Sequence, residues 1–335
     1  MRILIDTYAT AFQNKAGGVH NRIVRTVEAL RSAGLTVDYF DKYNTNVADY
    51  DILHVFMLNI ESYGLMKLAK AMGKKIVVSS IVTLSGKLRL SFYWHIRKLP
   101  FMTTYKILFR IGELADCIIA ETPREARFIH QYYHVASDKI RIIPNGADEI
   151  KSDSRKIYEL LGKECEYALE VGRFDQNKNQ LNVIKALKNT DVDVVFIGGE
   201  SPSEKDYYRK CLATAGNAPN LHFLGWVDSQ DELLKSAYGN AKLLISSSFY
   251  ETFGLTIVEG VMAGLVPVVS KTLPILDFEV FRGCLTFDPK SVKDIESKVR
   301  LAMKTKADAE LKAKAQKVFS WQGVAARHIE LYGSL

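Results

Sequence analysis

The chain has 335 residues, 47% of them hydrophobic and 25% charged, with a formal net charge of +7. At roughly 150 residues per domain that is material for two domains, and the composition excludes a disordered, collagen-like or coiled-coil protein. No apolar run approaches the ~20 residues of a membrane-spanning helix, and MRILIDTYAT, acidic at Asp6 and without a small-residue cleavage pattern, reads as a buried strand and not a signal peptide.

The first half alternates β-rich runs with helical patterns. RILIDTY (2–8) is a strand, and 21–33 an amphipathic helix with Ile23, Val24, Val27 and Leu30 on one face and Gly34 as its stop. LTVDYF, DILHVF and KKIVVSSIV continue as strands, with a helix near 61–72 before the last of them. CIIAET is a fifth strand, PREARFIHQY a helix opened by Pro123, and IRIIP runs into the turn Asn145-Gly146. The polar stretch 148–156 is the expected linker. The pattern then restarts with YALEVGR, a helix over 180–188, and the strands DVVFIGG, LHFLG, KLLISSS and VPVVS, separated by helices; helical segments close the chain from Asp294. Such alternation calls for parallel sheets covered on both faces. The expected fold is therefore α/β: two doubly wound domains with a cleft between them, ligands binding at the carboxyl ends of the strands.

Three segments have the residue types of a ligand site. Gly172-Arg173 follows a strand, and Lys178 precedes a helix, so two cations and helix N–H groups converge as they would on a phosphate; a solvated surface turn explains the segment equally well. In SSSFYETFGLTIVEG, Glu251 and Glu259 flank a glycine turn and a helix start. Gly254 lets a ligand approach the backbone, residues Thr252 to Thr256 present N–H groups, and a carboxylate can accept two hydrogen bonds from a sugar diol. Taken alone, the glutamates are better explained by the helix dipole and by solvation. The glycine pair Gly17-Gly18 opens the first helix after the first strand. There is no GxGxxG, which takes the main support from a nicotinamide-binding reading, and no GxxxxGK[ST], which removes the P-loop class. Asp49-Tyr50-Asp51 and Asp191-Val192-Asp193 have the DxD spacing of a metal–diphosphate site, but each precedes an apolar strand, where acids commonly cap the strand's start. His54, at the end of DILHVF, reads as structural. The four cysteines (Cys117, Cys165, Cys211, Cys284) lack CxxC spacing, which argues against a disulfide framework or zinc site and suits a reducing cytosol.

In order and spacing these segments resemble the retaining family 4 glycosyltransferases of GT-B fold, over nearly the whole chain. The resemblance rests on Glu251-x7-Glu259 followed by AGLVPVV, on VGRFDQNKNQ, and on GGV (17–19), IPNGAD (143–148), FIGGE (196–200) and FLGWV (223–227). It implies two Rossmann-like domains: an acceptor-side domain over 1–150, a nucleotide-sugar domain over 151–315, and a last helix, 316–335, crossing back to the first. It implies that Arg173 and Lys178 neutralise the donor diphosphate, with no cofactor and no divalent metal. Glu251 would contact the transferred sugar and Glu259 the ribose. Gly254, Leu255 and Thr256 would offer N–H groups, Val227 would hold the base through its main chain, and Gly17 and Gly18 would approach the phosphate; Asn145 and Phe253 are carried over as donor-binding positions. The sequence departs from the family where a histidine usually follows the fourth strand: IVVSSIVTLSG (76–86) has none. Thr252-Phe253-Gly254 stands for Gly-Phe-Gly, and Thr256 for a proline.

From 62 to 112 there are ten Lys or Arg and no Asp or Glu, so the rest of the chain is net negative. Phe92, Tyr93, Trp94, Phe101, Tyr105 and Phe109 lie among these cations, a composition suited to an anionic membrane surface, with a solvated basic face around an ordinary core as the alternative; no nucleic-acid motif accompanies it. The expectation is transfer of a sugar from a nucleotide-sugar, UDP favoured, to a glycan or lipid-linked acceptor, in the cytoplasm or at the inner face of the cell membrane. A sugar-nucleotide epimerase or phosphorylase of the same fold, or a non-catalytic nucleotide-sugar-binding protein, are the alternatives.

Overall fold

A computed structural model describes residues 1–13 and 18–335. The chain divides into two compact units, Met1–Gly146 with Val318–Leu335, and Ala147–Lys317. In the first, β1 (Arg2–Asp6), β2 (Thr36–Tyr39), β3 (Ile52–Phe56), β4 (Lys75–Ser79), β5 (Cys117–Ala120) and β6 (Ile140–Ile142) form a parallel sheet in the order β2-β1-β3-β4-β5-β6. Every residue of β3 and β5 is buried, as expected of strands covered on both faces, which read as unbroken apolar runs. The two-residue side-chain period sorts them into two layers. Leu53, Val55, Ile76, Val78 and Ile118 meet one set of helices; Ile3, Ile5, Ile52, Phe56, Val77 and Ile119 meet the other. The last helix, Trp321–Gly333, belongs to the second layer through Val324, Ala325, Leu331 and Tyr332.

The second unit has β7 (Tyr167–Val171), β8 (Asp193–Ile197), β9 (Leu221–Phe223), β10 (Leu243–Ser246), β11 (Val266–Ser270) and β12 (Leu285–Phe287), again all parallel, in the order β12-β11-β10-β7-β8-β9. Counted within the unit this is 3-2-1-4-5-6 reversed, the dinucleotide-binding order. The direction of winding changes between β7 and β10, and a crevice opens at such a switch point, at the strands' carboxyl ends.

Several elements differ from the sequence reading. The first helix starts at Gly18, not Asn21. Pro123 does open a helix, but the α-turns end at Phe128 and a wider π-type turn, Ile129–Tyr133, carries on to His134, which is left-handed at φ 55°. The expected linker runs into a helix, Lys156–Leu161, and β12 was not anticipated. Within the basic segment two further helices appear, Lys87–His95 and Thr104–Leu114, the latter capped by Thr103, whose hydroxyl accepts from Lys106 N.

Candidate functional site

At the switch point of the second unit, the loops that leave β7 and β10 are tied to each other. Phe249 N donates to Asn177 O at 2.8 Å, and Asn177 Nδ2 donates to Tyr250 O at 2.8 Å. Asn179, left-handed at φ 63°, sends its amide to the carbonyls of Ser247 and Pro289. A left-handed asparagine is tolerated where its side chain bonds locally, and here those bonds lock the turn that ends in the helix Gln180–Leu187.

These loops bring Lys178 and Glu251 into contact: Nζ to Oε1 is 2.6 Å, and Ser248 Oγ donates to the same oxygen at 2.6 Å. Arg173 reaches over Asp175, with Nη2 3.2 Å from Oδ2, while Asp175 Oδ1 accepts from Lys178 N. The Arg173 side chain remains 59% exposed. Both cations therefore stand at one loop, each beside one carboxylate.

The loop after β8 presses against this turn. Gly172 N donates to Ile197 O and Phe174 N to Gly199 O. At Gly198, with φ 150°, a Cβ would fall 2.0 Å from the Gly172 carbonyl oxygen, so no side chain fits between the two backbones. Gly198 N in turn donates to Gly225 O, which fixes the segment after β9 where Val227 sits partly buried next to the exposed Trp226.

Gly254, at φ 104°, is the N-cap of the helix Leu255–Ala263 and supplies no capping side chain. The first N–H groups of a helix have no partner within it, so Leu255 and Thr256 open a positive helix end of the kind that receives an anion. Phe253 is buried, edge-on to Phe278, which leaves its backbone as the part a ligand could meet. Glu259 lies one turn further along and accepts from Tyr238 OH at 3.0 Å; burial raises its carboxyl above the ordinary value, against the lowering effect of that bond.

Arg173, Lys178, Val227, Phe253, Gly254, Leu255, Thr256, Glu251 and Glu259 thus all belong to the second unit. Gly18, exposed at the start of its helix, and Asn145, whose buried Oδ1 has no hydrogen-bond partner, belong to the first. Gly17 lies outside the described residues. Both DxD strings sit at the opposite, amino-terminal edges of their sheets. Asp51 accepts from Arg2 N, Asp191 pairs with Arg300, and Asp193 pairs with Lys163 and His222. Among the described residues no group of three or more His, Cys, Asp or Glu is placed to hold a metal ion. His54 is fully buried between Tyr332 OH and Ser79 Oγ, and desolvation holds its pKa well below the usual imidazole range.

Sequence reasoning passed over a polar cluster in the first unit, at the carboxyl ends of β4 and β5. Arg22 pairs with Glu121, and Glu125 accepts from Glu121 N, Ser80 Oγ and Val82 N. Glu125 thereby fixes the loop where Ile81 takes φ 43°, the loop that lacks the family's histidine. The signal was present as Thr122-Pro-Arg-Glu125, a capping-box spacing.

The comparisons with known proteins follow this division. Residues 153–318 match the profile described as Glycosyl transferases group 1, and residues 41–150 that of Glycosyltransferase Family 4. The chain is 25% identical over 289 residues to a processive diacylglycerol alpha-glucosyltransferase of Acholeplasma laidlawii, covering 82% of this chain and 80% of that one. It is 24% identical over 295 residues to a GDP-mannose:cellobiosyl-diphosphopolyprenol alpha-mannosyltransferase of Xanthomonas campestris, covering 84% and 73%. In structure it is similar to Anabaena Alr3699/HepE, solved in complex with UDP, with a TM-score of 0.78, 16% identity and full coverage of both chains.

Proposed function

The chain belongs to the family 4 glycosyltransferases of GT-B fold, and from that membership we propose that it transfers a sugar from a UDP-sugar to a lipid-linked or glycan acceptor, with retention and without a divalent metal. The observation that carries the reading is the junction at the β7–β10 switch point, where Arg173, Lys178 and Glu251 stand beside a helix whose cap is a glycine.

Arg173 and Lys178 bind the diphosphate and offset the charge that grows on it as the glycosidic bond breaks, the role fixed cations play in transition-state stabilisation. Leu255 and Thr256 N–H, exposed to the same charge by the turn at Gly254, add the helix dipole. Glu251 contacts the transferred sugar, Glu259 accepts from the ribose hydroxyls, and Val227 holds the base through its main chain. Phe253 acts through its backbone. The departing diphosphate takes the acceptor's proton on the face it leaves. Retention is supported by the relatives named above, which make alpha linkages; the common UDP- and GDP-hexoses are themselves α-linked, so an α product preserves configuration. UDP is favoured because the structural neighbour binds it.

On the acceptor side the reading is a lipid-linked substrate met at the cytoplasmic face of an anionic membrane through residues 62–112. Both relatives named above act on lipid acceptors. No described helix is long and apolar enough to cross a membrane; the contact proposed is a peripheral one. Of the six aromatics interleaved with the cations, Tyr93 stacks on Tyr105, Trp94 stacks on His134, and Phe109 is buried. Phe92 and Phe101 are exposed, joined by Leu88 (89% exposed), Leu99 and Met102. Several cations are engaged: Lys70 with Asp116, Arg97 over Trp94, Lys106 with Leu99 O. Lys87, Arg89 and Lys98 are exposed next to the apolar side chains, a combination that suits the interface plane.

The test is a thermal-shift panel of UDP, GDP, dTDP, ADP and their sugar conjugates in the presence of EDTA. A ligand at 100 times its Kd stabilises by about 2.7 kcal/mol, or roughly 5–10 °C for a unit of this size. A shift with UDP and one UDP-sugar is expected. Absence of any nucleotide shift, or one that needs added metal, overturns the donor assignment.

A further inference from the structure

Beneath Lys178 lies a carboxyl group that donor binding does not use. Glu170, on β7, is 5% exposed. Its Oε1 is 2.6 Å from Ser247 Oγ, and that same Oγ is 2.6 Å from the backbone carbonyl oxygen of Lys178. A serine hydroxyl has one proton to donate, and a carbonyl has none. Ser247 must give its proton to the Lys178 carbonyl, since otherwise two oxygens would face each other at 2.6 Å with nothing between them. The contact with Glu170 then needs a proton from Glu170. The second carboxyl oxygen, Oε2, is buried without a partner. That position suits the carbonyl oxygen of a neutral acid and is costly for half of a carboxylate charge. Both observations point to the same protonation state.

We infer that Glu170 is held as a neutral acid and is a positioning residue: its Oε1–H donates to Ser247, Ser247 donates to the Lys178 carbonyl, and this chain fixes the lysine that meets the donor diphosphate. The inference rests on the reading of Lys178 as a diphosphate ligand. It also explains how the turn is held from two sides, since Asn179, the next residue, is pinned through its amide to Ser247 O and Pro289 O.

The groups facing Glu170 are Lys178 from the loop, Ser247 from the end of β10, and Tyr207 and Cys211 from the helix Lys205–Ala215. Burial pushes Glu170 up to about 8, against the lowering effects of Ser247 and Lys178. Burial also raises the Tyr207 phenol, and the Cys211 thiol to about 12, so neither titrates below pH 9. Above pH 8 an ionised Glu170 breaks the relay and places a negative charge behind the anion site. If the proton is required, UDP affinity falls about tenfold between pH 7 and 9.

The experiment measures UDP binding by calorimetry at pH 7, 8 and 9 for the wild type and Glu170→Gln, whose amide can donate to Ser247 but cannot ionise. The wild type is expected to weaken about tenfold and E170Q to stay flat; titration of UDP itself is common to both. Parallel profiles overturn the inference. If UDP binds neither protein, the donor-site reading fails instead, and a second measurement still decides the proton. Glu170's folded pKa stands above its unfolded one, so from about pH 4.5 to about 8 the native state holds a proton that the unfolded chain has lost. Wild-type stability falls across that window. The unfolding midpoint of E170Q minus that of the wild type should widen from pH 5 to 8, and a constant difference sinks the neutral-acid assignment.

Discussion

Replacing Glu251 by glutamine separates the two roles that the site gives it. In the free protein Lys178 is balanced by Glu251 at 2.6 Å, with side chains 27% and 19% exposed. A diphosphate arriving at Lys178 meets a cation already engaged, and a carboxylate of its own sign beside it. Exposed ion pairs contribute about 0.2–1 kcal/mol, whereas stripping one partner from a fully buried pair costs about 3–5 kcal/mol. A pair of intermediate exposure belongs between them, so removing the charge should favour UDP by about 1–2 kcal/mol, or 5–30-fold in Kd. Glutamine keeps the shape and can still accept from Ser248. Transfer should move the other way. If Glu251 contacts the sugar as charge develops, kcat falls by about 10²–10³, the scale of losing one such interaction.

The assay is UDP titration by calorimetry at fixed ionic strength, combined with steady-state transfer from the UDP-sugar that the thermal-shift panel identifies. Tighter nucleotide binding with slower turnover is the expected signature, because only interactions stronger in the transition state govern kcat. Unchanged or weaker UDP binding by E251Q would refute the competition for Lys178, and an unchanged kcat would remove Glu251 from the sugar.

Two further outcomes follow from other parts of the site and surface. Arg173→Ala should leave the unfolding midpoint nearly unaltered, since the side chain is largely exposed, and should weaken UDP by about 1.5–3 kcal/mol, the range of a hydrogen bond to a charged group; retained affinity would take Arg173 out of the clamp. The double variant Leu88→Asp, Phe92→Asp should lose co-sedimentation with vesicles containing anionic phospholipid, and wild-type binding should weaken as salt is raised. Sedimentation equal to wild type would move the contact elsewhere.

The strands were legible because burial on both faces leaves a simple trace: ILHVF, CIIA and LLIS are apolar in the sequence but for His54 and Ser246, and buried throughout in the fold. Elements without such a trace were missed. The helix Lys87–His95 packs Leu90, Tyr93 and Trp94 against the core but leaves Leu88 and Phe92 exposed, so apolar residues lie all round it and no single stripe stands out at a 3.6-residue period. β12 has three residues and owes its place to pairing with β11. The aromatic residues of the basic segment were visible, but not which of them face inward: Tyr93 and Trp94 are consecutive yet both pack against the protein, because each finds a ring partner there. Glu170 carried no motif at all. A glutamate inside a strand is notable only once its neighbours across the sheet are known.

The candidate site shows the same limit more sharply. Lys178 and Glu251 are separated by 73 positions, and neither string on its own distinguishes a ligand site from a solvated turn. What joins them is the winding of the sheet. β7 is laid down first, β8 and β9 add on one side, and the chain must then return across β7 to place β10 on the other. That return brings the carboxyl ends of β7 and β10 side by side, and with them a basic loop and an acidic one. Opposite charges on adjacent loops neutralise each other in the free protein. On the proposed reading they also leave a pair of fixed groups that an anionic ligand would divide, the cation turning to the diphosphate and the carboxylate to the sugar hydroxyls. Had β10 been added beyond β9, the same residues would stand on opposite sides of the sheet and each would be an ordinary surface charge. The chemistry therefore belongs to the strand order as much as to the residues, which is why it becomes readable only when both are known.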